Sequence, residues 1–341
     1  RLIMRKSRIL TVFLTIAVIF TMSFATVPAY AASGTAITTA DELKAMENNP
    51  SGSYYLANDI EVPANLSLFT DYDHPFTGTL DGNGHKIKGY TYTSSEEWLD
   101  EVALFIWTKN ATFKNLSMTD VNISLNQAGS VAALAATSVN CKFIDISVSG
   151  KIVGKYLRTA AGILAYNDGS SMTGCKNSAD ITVTDAAEGC GIAGVAGSCD
   201  TMKNCTNSGK ISISGKITQG GFYVAGVANR IGKATSCRNS GTVTISATGS
   251  GQQIEACAAA GVACEVKNGV SCSNTGKVSM NATIQPIEPH MVGGVFALVQ
   301  KSASKCYNKG AVSYSGKSYR GVYVGGVSGQ ARKVSQSYNK G

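Results

Sequence analysis

The chain is poor in the residues from which hydrolytic and metal sites are usually built. It has three histidines in 341 residues, and none of its 22 Asp and Glu follows Glu288. Polysaccharide lyases and hydrolases need clustered carboxylates, to hold calcium beside a basic residue or for general acid/base work. Acids that thin out along the chain argue against both. Ten cysteines are present, yet no two stand as Cys-x-x-Cys, the spacing that opens most structural zinc sites. No Asp recurs at a fixed period, which excludes calcium bound once per repeat. The apolar stretches lie too close together for the crossover helices of a doubly wound sheet.

What the chain does have is a turn that recurs down its second half. The copies are Cys175-Lys-Asn177, Cys205-Thr-Asn207, Cys237-Arg-Asn239, Cys272-Ser-Asn274 and Cys306-Tyr-Asn308, with Ser337-Tyr-Asn339 last. Their first residues are 30, 32, 35, 34 and 31 positions apart, within the range of a solenoid repeat. A strand with period-2 alternation follows each turn, as in Ile211/Ile213 and Val243/Ile245. Midway round comes a Gly-rich apolar signature such as Gly191-Ile-Ala-Gly-Val-Ala-Gly197, which indicates a closely approached wall. Parallel strands joined by short bends coil into a cylinder, so the expected fold is all-β, a right-handed parallel β-helix with a short N-terminal capping helix.

In such a stack like residues lie over like residues, about 4.8 Å apart. The six asparagines are expected to form an amide ladder, each occupying the left-handed bend of its turn. Cys175, Cys205, Cys237, Cys272 and Cys306 are expected to stack as buried thiols. Parallel Cβ vectors hold neighbouring thiols at the coil spacing, beyond the roughly 3.5–4.5 Å that a bridge prefers. Cys141-Lys-Phe-Ile-Asp145 reads as a degenerate first copy that lacks its Asn. Cys190 and Cys257 fall two coils apart with Phe222 between, and Cys199 and Cys264 receive no role.

Residues 1–31 read as a secretory signal peptide: a basic start, an apolar run from Ile9 to Phe24, and Ala29-Tyr-Ala31 as the cleavage site. Loss of Arg1, Arg5, Lys6 and Arg8 takes the formal charge from +8 to +4, which removes the main support for nucleic-acid binding. Export, without membrane insertion after cleavage, is the expectation. Residues 32–125 are read as the cap and first coils. Thr39-x-x-Glu42 forms a capping box for a helix over 39–49, and Leu43 and Met46 supply its apolar stripe. Asp81-Gly-Asn-Gly84 reads as a tight turn between two strands, and Ser95 to Asp100 as a helical turn. Residues 126–341 are read as repeats of about 32 residues. About seven coils are expected in all, continuing past Gly341, where the absence of an LPxTG-like signal also puts any wall anchor.

The opening Ile37-Thr-Thr-Ala-Asp-Glu-Leu43, Tyr54-Tyr-Leu-Ala-Asn-Asp-Ile60 and Phe76 to Ile87 resemble the amino-terminal cap of bacterial surface proteins with GLUG-type repeats. Val324-Gly-Gly-Val-Ser-Gly329 followed by Ser337-Tyr-Asn-Lys-Gly341 is similar to the repeat itself, with Val in place of the usual Leu. The resemblance implies an adhesin-like protein on or outside a bacterial cell, and it supplies no catalytic residues. The expected function is therefore a non-catalytic surface module that displays or binds surface glycans or host or matrix ligands. A polysaccharide-degrading β-helix enzyme is the alternative.

No catalytic residue, cofactor or metal is assigned. Asp71-Tyr-Asp73-His74 with His85 is the one titratable cluster, and a solvated loop accounts for it equally well. His290 is expected alone in a loop. Tyr307, Tyr319, Tyr338, Lys309 and Arg320 form a candidate ligand-contact surface, aromatic and basic, suited to sugars or anionic polymers. A soluble β-helix exterior would carry the same residues. The chain is read as monomeric within a longer protein.

Overall fold

The computed structural model describes residues 33–95, 98–186, 188–249 and 253–341. The expected signal peptide lies outside the described residues. Ser33 to Gly341 form one compact unit, a right-handed parallel β-solenoid in which every strand pairing is parallel, as in Ser117–Ala132 on Ser147–Ala161. One column passes through Ile60, Ile87, Met118, Val148, Asn177, Asn207, Asn239, Asn274, Asn308 and Asn339. The described chain thus winds through ten passes where about seven were expected, because the early coils carry aliphatic residues at the position that later holds Asn. The strand Ser117–Ala132 runs unbroken across residue 125.

A short helix, α1 (Ala40–Lys44), and a 3₁₀ turn (Ala45–Asn48) lie at the start. The Thr39 hydroxyl accepts from the Glu42 amide at 3.2 Å, and the Glu42 carboxylate accepts from the Thr39 amide at 3.3 Å. Leu43 and Met46 are fully buried in the main core. The capping box thereby fixes a segment whose apolar side covers the first coil.

Behind each Gly-rich signature is a steric fit. A β-carbon on Gly194 would lie 2.3 Å from Asn207 Oδ1 and 2.1 Å from the Gly226 carbonyl oxygen. Gly226 meets Asn239 in the same way, Gly261 meets Asn274, and Gly294 meets Asn308. The amide column and the glycine column occupy one another's space, so each coil bends sharply where glycine yields to asparagine.

Several local expectations change. The ladder asparagines do not occupy the left-handed region; that position belongs to the residue before each cysteine, with φ of 69° at Gly174, 55° at Asn204, 54° at Ser236 and 56° at Lys305. The asparagines sit in two-residue strands such as Thr206–Asn207, where extended backbone keeps the column in register. Cys141 is not the first rung: Ser147 pairs with Lys176, which puts Ile146 beneath Cys175 and makes Asp145, at φ 54°, the corner residue. Asp81 to Gly84 is a corner, since Thr79–Asp81 and Lys86–Lys88 pair with neighbouring coils and not with each other. Leu99–Val102 is a strand on Ala128 to Val131, so no helical turn reaches Asp100; Glu96 and Glu97 lie outside the described residues.

Candidate functional site: a groove along one corner of the solenoid

At the glycine corner the chain bends so tightly that outward residues of two successive strands face each other. Ala193, Ala225, Ala260, Cys264 and Ala297 form an apolar cluster separate from the main core, and Ala103, Ile106 and Ala136 form a second. These side chains, small except for Ile106, are the floor of a groove that runs parallel to the solenoid axis. One wall is the column Glu101, Ser130, Thr159, Gly191, Tyr223, Ala258 and Met291. The other wall starts with Trp107, Thr137 and Tyr166 and continues through Ser198, Arg230, Glu265 and Leu298.

Two recesses lie in the surface, the second of them within the groove. The first, about 430 Å³, is bounded by Trp98, Gln127, Tyr156, Arg158 and Glu188; the Arg158 guanidinium lies 5.3 Å above the Trp98 ring. The second, about 280 Å³, lies between Tyr166, Tyr223, Arg230 and Glu265. Arg230 Nε is 3.2 Å from Glu265 Oε2, and Gln300 also donates to the Glu265 carboxylate. Across the floor the Asn229 carboxamide, once oriented to its surroundings, exchanges hydrogen bonds with Ile192 N and O at 3.1 Å and donates to Tyr223 O. Further up, Thr137 Oγ1 donates to Glu101 Oε1 at 2.5 Å. Burial raises the Glu101 pKa above the usual carboxylate range, and burial followed by the Glu255 carboxylate raises that of Tyr223. The Tyr223 hydroxyl donates to Glu255 at 3.2 Å.

The candidate residues named from sequence fall elsewhere. The six asparagines form one chain of amide hydrogen bonds at 2.7–2.8 Å, from Asn177 Nδ2 to Asn207 Oδ1 and on to Asn339. Each Nδ2 also donates to the carbonyl two residues on. Cys175, Cys205, Cys237, Cys272 and Cys306 are buried and unbridged. Each thiol donates to the carbonyl two residues before it, at 3.3–3.6 Å. These columns are scaffold. Tyr307 and Tyr338 stack on each other, with centroids 5.4 Å apart and planes 8° apart, and Lys309 and Lys340 sit over their rings at 5.6 Å. Ring faces that could meet a sugar are thus largely engaged already. Tyr319 and Arg320 lie apart, beyond the far end of the strand Val312–Ser318.

The titratable cluster does not assemble. His74 Nδ1 pairs with Asp71 at 2.7 Å in an exposed loop, whereas His85 lies 3.6 Å from Asp59, which also pairs with Lys88. His290 is a fully buried strand residue and not a loop residue; Nδ1 accepts from the Cys257 amide at 3.0 Å and Nε2 has no partner. Its column runs Cys190, Phe222, Cys257, His290. Cys199 points into the core and Cys264 into the groove floor, and burial pushes the Cys199 thiol up to about 12.

Sequence reasoning missed the groove, whose residues are 30 to 60 positions apart and follow no motif. Its one sequence signal is the small outward residue on both sides of the corner glycine.

Residues 31–150 match the family model described as "M26 IgA1-specific Metallo-endopeptidase N-terminal region". A solved structure of a provisionally assigned immunoglobulin A1 protease from Bacteroides ovatus is 15% identical. The similarity covers 87% of this chain and 85% of that one at a TM-score of 0.43, too low to carry an argument. The curated proteins give no match. The family match overturns the expectation of a GLUG-repeat, adhesin-like module and of a chain outside enzymes, since the cap and first coils are similar to part of a peptidase. It supports a location outside the cell or at its surface. No helix among the described residues is long and apolar enough to cross a membrane. The metal that the family description implies does not fit the described residues: no three His, Cys, Asp or Glu side chains among them are grouped to hold an ion.

Proposed function

We propose that this chain is the β-solenoid part of an exported, peptidase-type protein related to the IgA1-specific metallo-endopeptidases, and that its coils engage the protein substrate. The observation that carries this reading is the family match over residues 31–150, which spans α1 and the first coils. One structural feature supports it. The groove reaches the matched region, since Glu101 and Trp107 belong to its walls. Export follows cleavage after Ala31, which N-terminal sequencing of the secreted protein tests.

The experiment is a binding measurement on the full chain from residue 32. Immobilised protein retains IgA1 in preference to IgG. Equal retention of both, or of neither, overturns the reading.

A further inference from the structure

Aromatic side chains stand at two-coil intervals along part of the groove, at Trp107, Tyr166 and Tyr223. Trp107 and Tyr166 stand two coils apart on one wall, with Thr137 between them. Tyr223 and Met291 stand two coils apart on the other, with Ala258 between them. Tyr166 belongs to the coil of Thr159, and Tyr223 lies two coils further along, past Gly191. The order along the axis is therefore Trp107, Tyr166, Tyr223, Met291; the coils between carry Thr137, Ser198 and Glu265 on the second wall, and Tyr323 follows one coil beyond Met291. At about 4.8 Å per coil, the repeat is roughly 9.6 Å.

We propose that this groove binds a neutral, linear β-linked polysaccharide laid parallel to the solenoid axis. This goes beyond the peptidase reading and does not depend on it. In an extended β-linked pyranose chain each sugar is flipped relative to the last, so the same ring face returns after two sugars, a length close to two coils. Trp107 and Tyr166, the latter 55% exposed, offer aromatic surface at that repeat on one wall, and Tyr223 stands on the other. Glycines 191 and 197 let the chain approach the floor, since a side chain at either position would meet Asn229 or Thr159.

Hydrogen-bonding chemistry separates this ligand from a proline-rich peptide. Three residues of polyproline II helix span about 9.3 Å, which fits the same repeat. Such a segment offers carbonyl acceptors and few donors. The groove and its margins carry the carboxylates Asp200, Glu255 and Glu265, which only accept when ionised. Sugar hydroxyls both donate and accept, so they satisfy these carboxylates as well as Arg230. The Arg230–Glu265 pair leaves no excess charge at the centre of the groove, which favours a neutral chain over a uronate.

The test is affinity electrophoresis of the full chain through native gels cast with hydroxyethylcellulose, a soluble neutral β-1,4-glucan, or with dextran, which is α-linked. Hydroxyethylcellulose retards the protein and dextran does not. Tyr166→Ala weakens retardation by about tenfold, Tyr166→Phe keeps it, and Ser198→Trp, which fills the groove, abolishes it. Thermal melts establish that each variant is folded. The proposal is overturned by equal retardation in dextran, by undiminished retardation of folded Tyr166→Ala and Ser198→Trp, or by failure of hydroxyethylcellulose to retard the protein. Binding of an oligoproline peptide that those two variants lose, without glucan binding, overturns it in favour of a peptide groove.

Discussion

Asn239 Oδ1 lies 2.3 Å from the point where a β-carbon on Gly226 would sit, closer than any real side chain approaches. One residue requires the other to lack a side chain, and the same relation repeats up the stack. The corner behind the groove is as sharp as it is because an amide fills the inside and glycine leaves room for it.

Asn239→Ala removes the amide bonded to Asn207, to Asn274 and to the Gly241 carbonyl. Its neighbours are left buried with fewer partners, so stability falls by about 1–3 kcal/mol. An unchanged Tm on thermal unfolding argues against the ladder as a stabilising element.

Gly226→Ala is more damaging than Asn239→Ala, and combining them gives no rescue. The Gly261 carbonyl oxygen is 2.1 Å from the same β-carbon position, so deleting the asparagine side chain does not make space. Recovery of stability in the double variant would show that the amide alone sets the corner.

The thiol column stays reduced after export. All ten cysteines are free and buried, and the stacked geometry holds neighbours at the coil spacing. Protein secreted without reductant and alkylated after denaturation should carry ten alkyl groups. A mass spectrum with Cys205 joined to Cys237 refutes this.

His290 makes stability depend on pH. Burial lowers its folded pKa to about 4 from the ordinary 6.5, and Nδ1 must stay unprotonated to accept from the Cys257 amide. A base whose pKa is depressed on folding binds protons more readily when unfolded. Its contribution is therefore complete above pH 6.5 and is lost as pH falls toward 4. His74 is shifted upward by its hydrogen bond to Asp71 and acts in the opposite direction, but it is exposed and its effect is screened. The Tm of the protein should drop between pH 6.5 and 4.5, and His290→Gln should flatten that drop. Parallel curves for the two proteins would exclude His290 as the cause.

Met46→Ala opens the start of the stack. The side chain is fully buried in the main core, so its loss costs about 2–5 kcal/mol, whereas Thr39→Ala, which removes only the exposed N-cap, costs about 0.5–2 kcal/mol. Chemical denaturation of the two variants measures both, and equal effects would mean that the apolar cover matters no more than the cap.

The architecture was legible because the repeat is written in residues that cannot be exchanged freely. Cys205 and Asn207 recur as Cys237 and Asn239, and a parallel stack turns equal spacing in sequence into one column in space. The early coils were harder to count, since Ile87, Met118 and Val148 occupy the asparagine column without its signature. His290 could not be placed because a single polar residue in a short apolar run reads as a loop, whereas the neighbouring Cys257 amide lets it be buried.

By itself the sequence determined the period, the parallel coil and the two inner ladders, because each follows from the spacing of identical residues along one chain. Only the tertiary structure decided that a groove exists and which side chains enter it. Tyr166 and Tyr223 share no repeat position, and they come to opposite walls of one channel only after the glycine corner turns two outward faces toward each other.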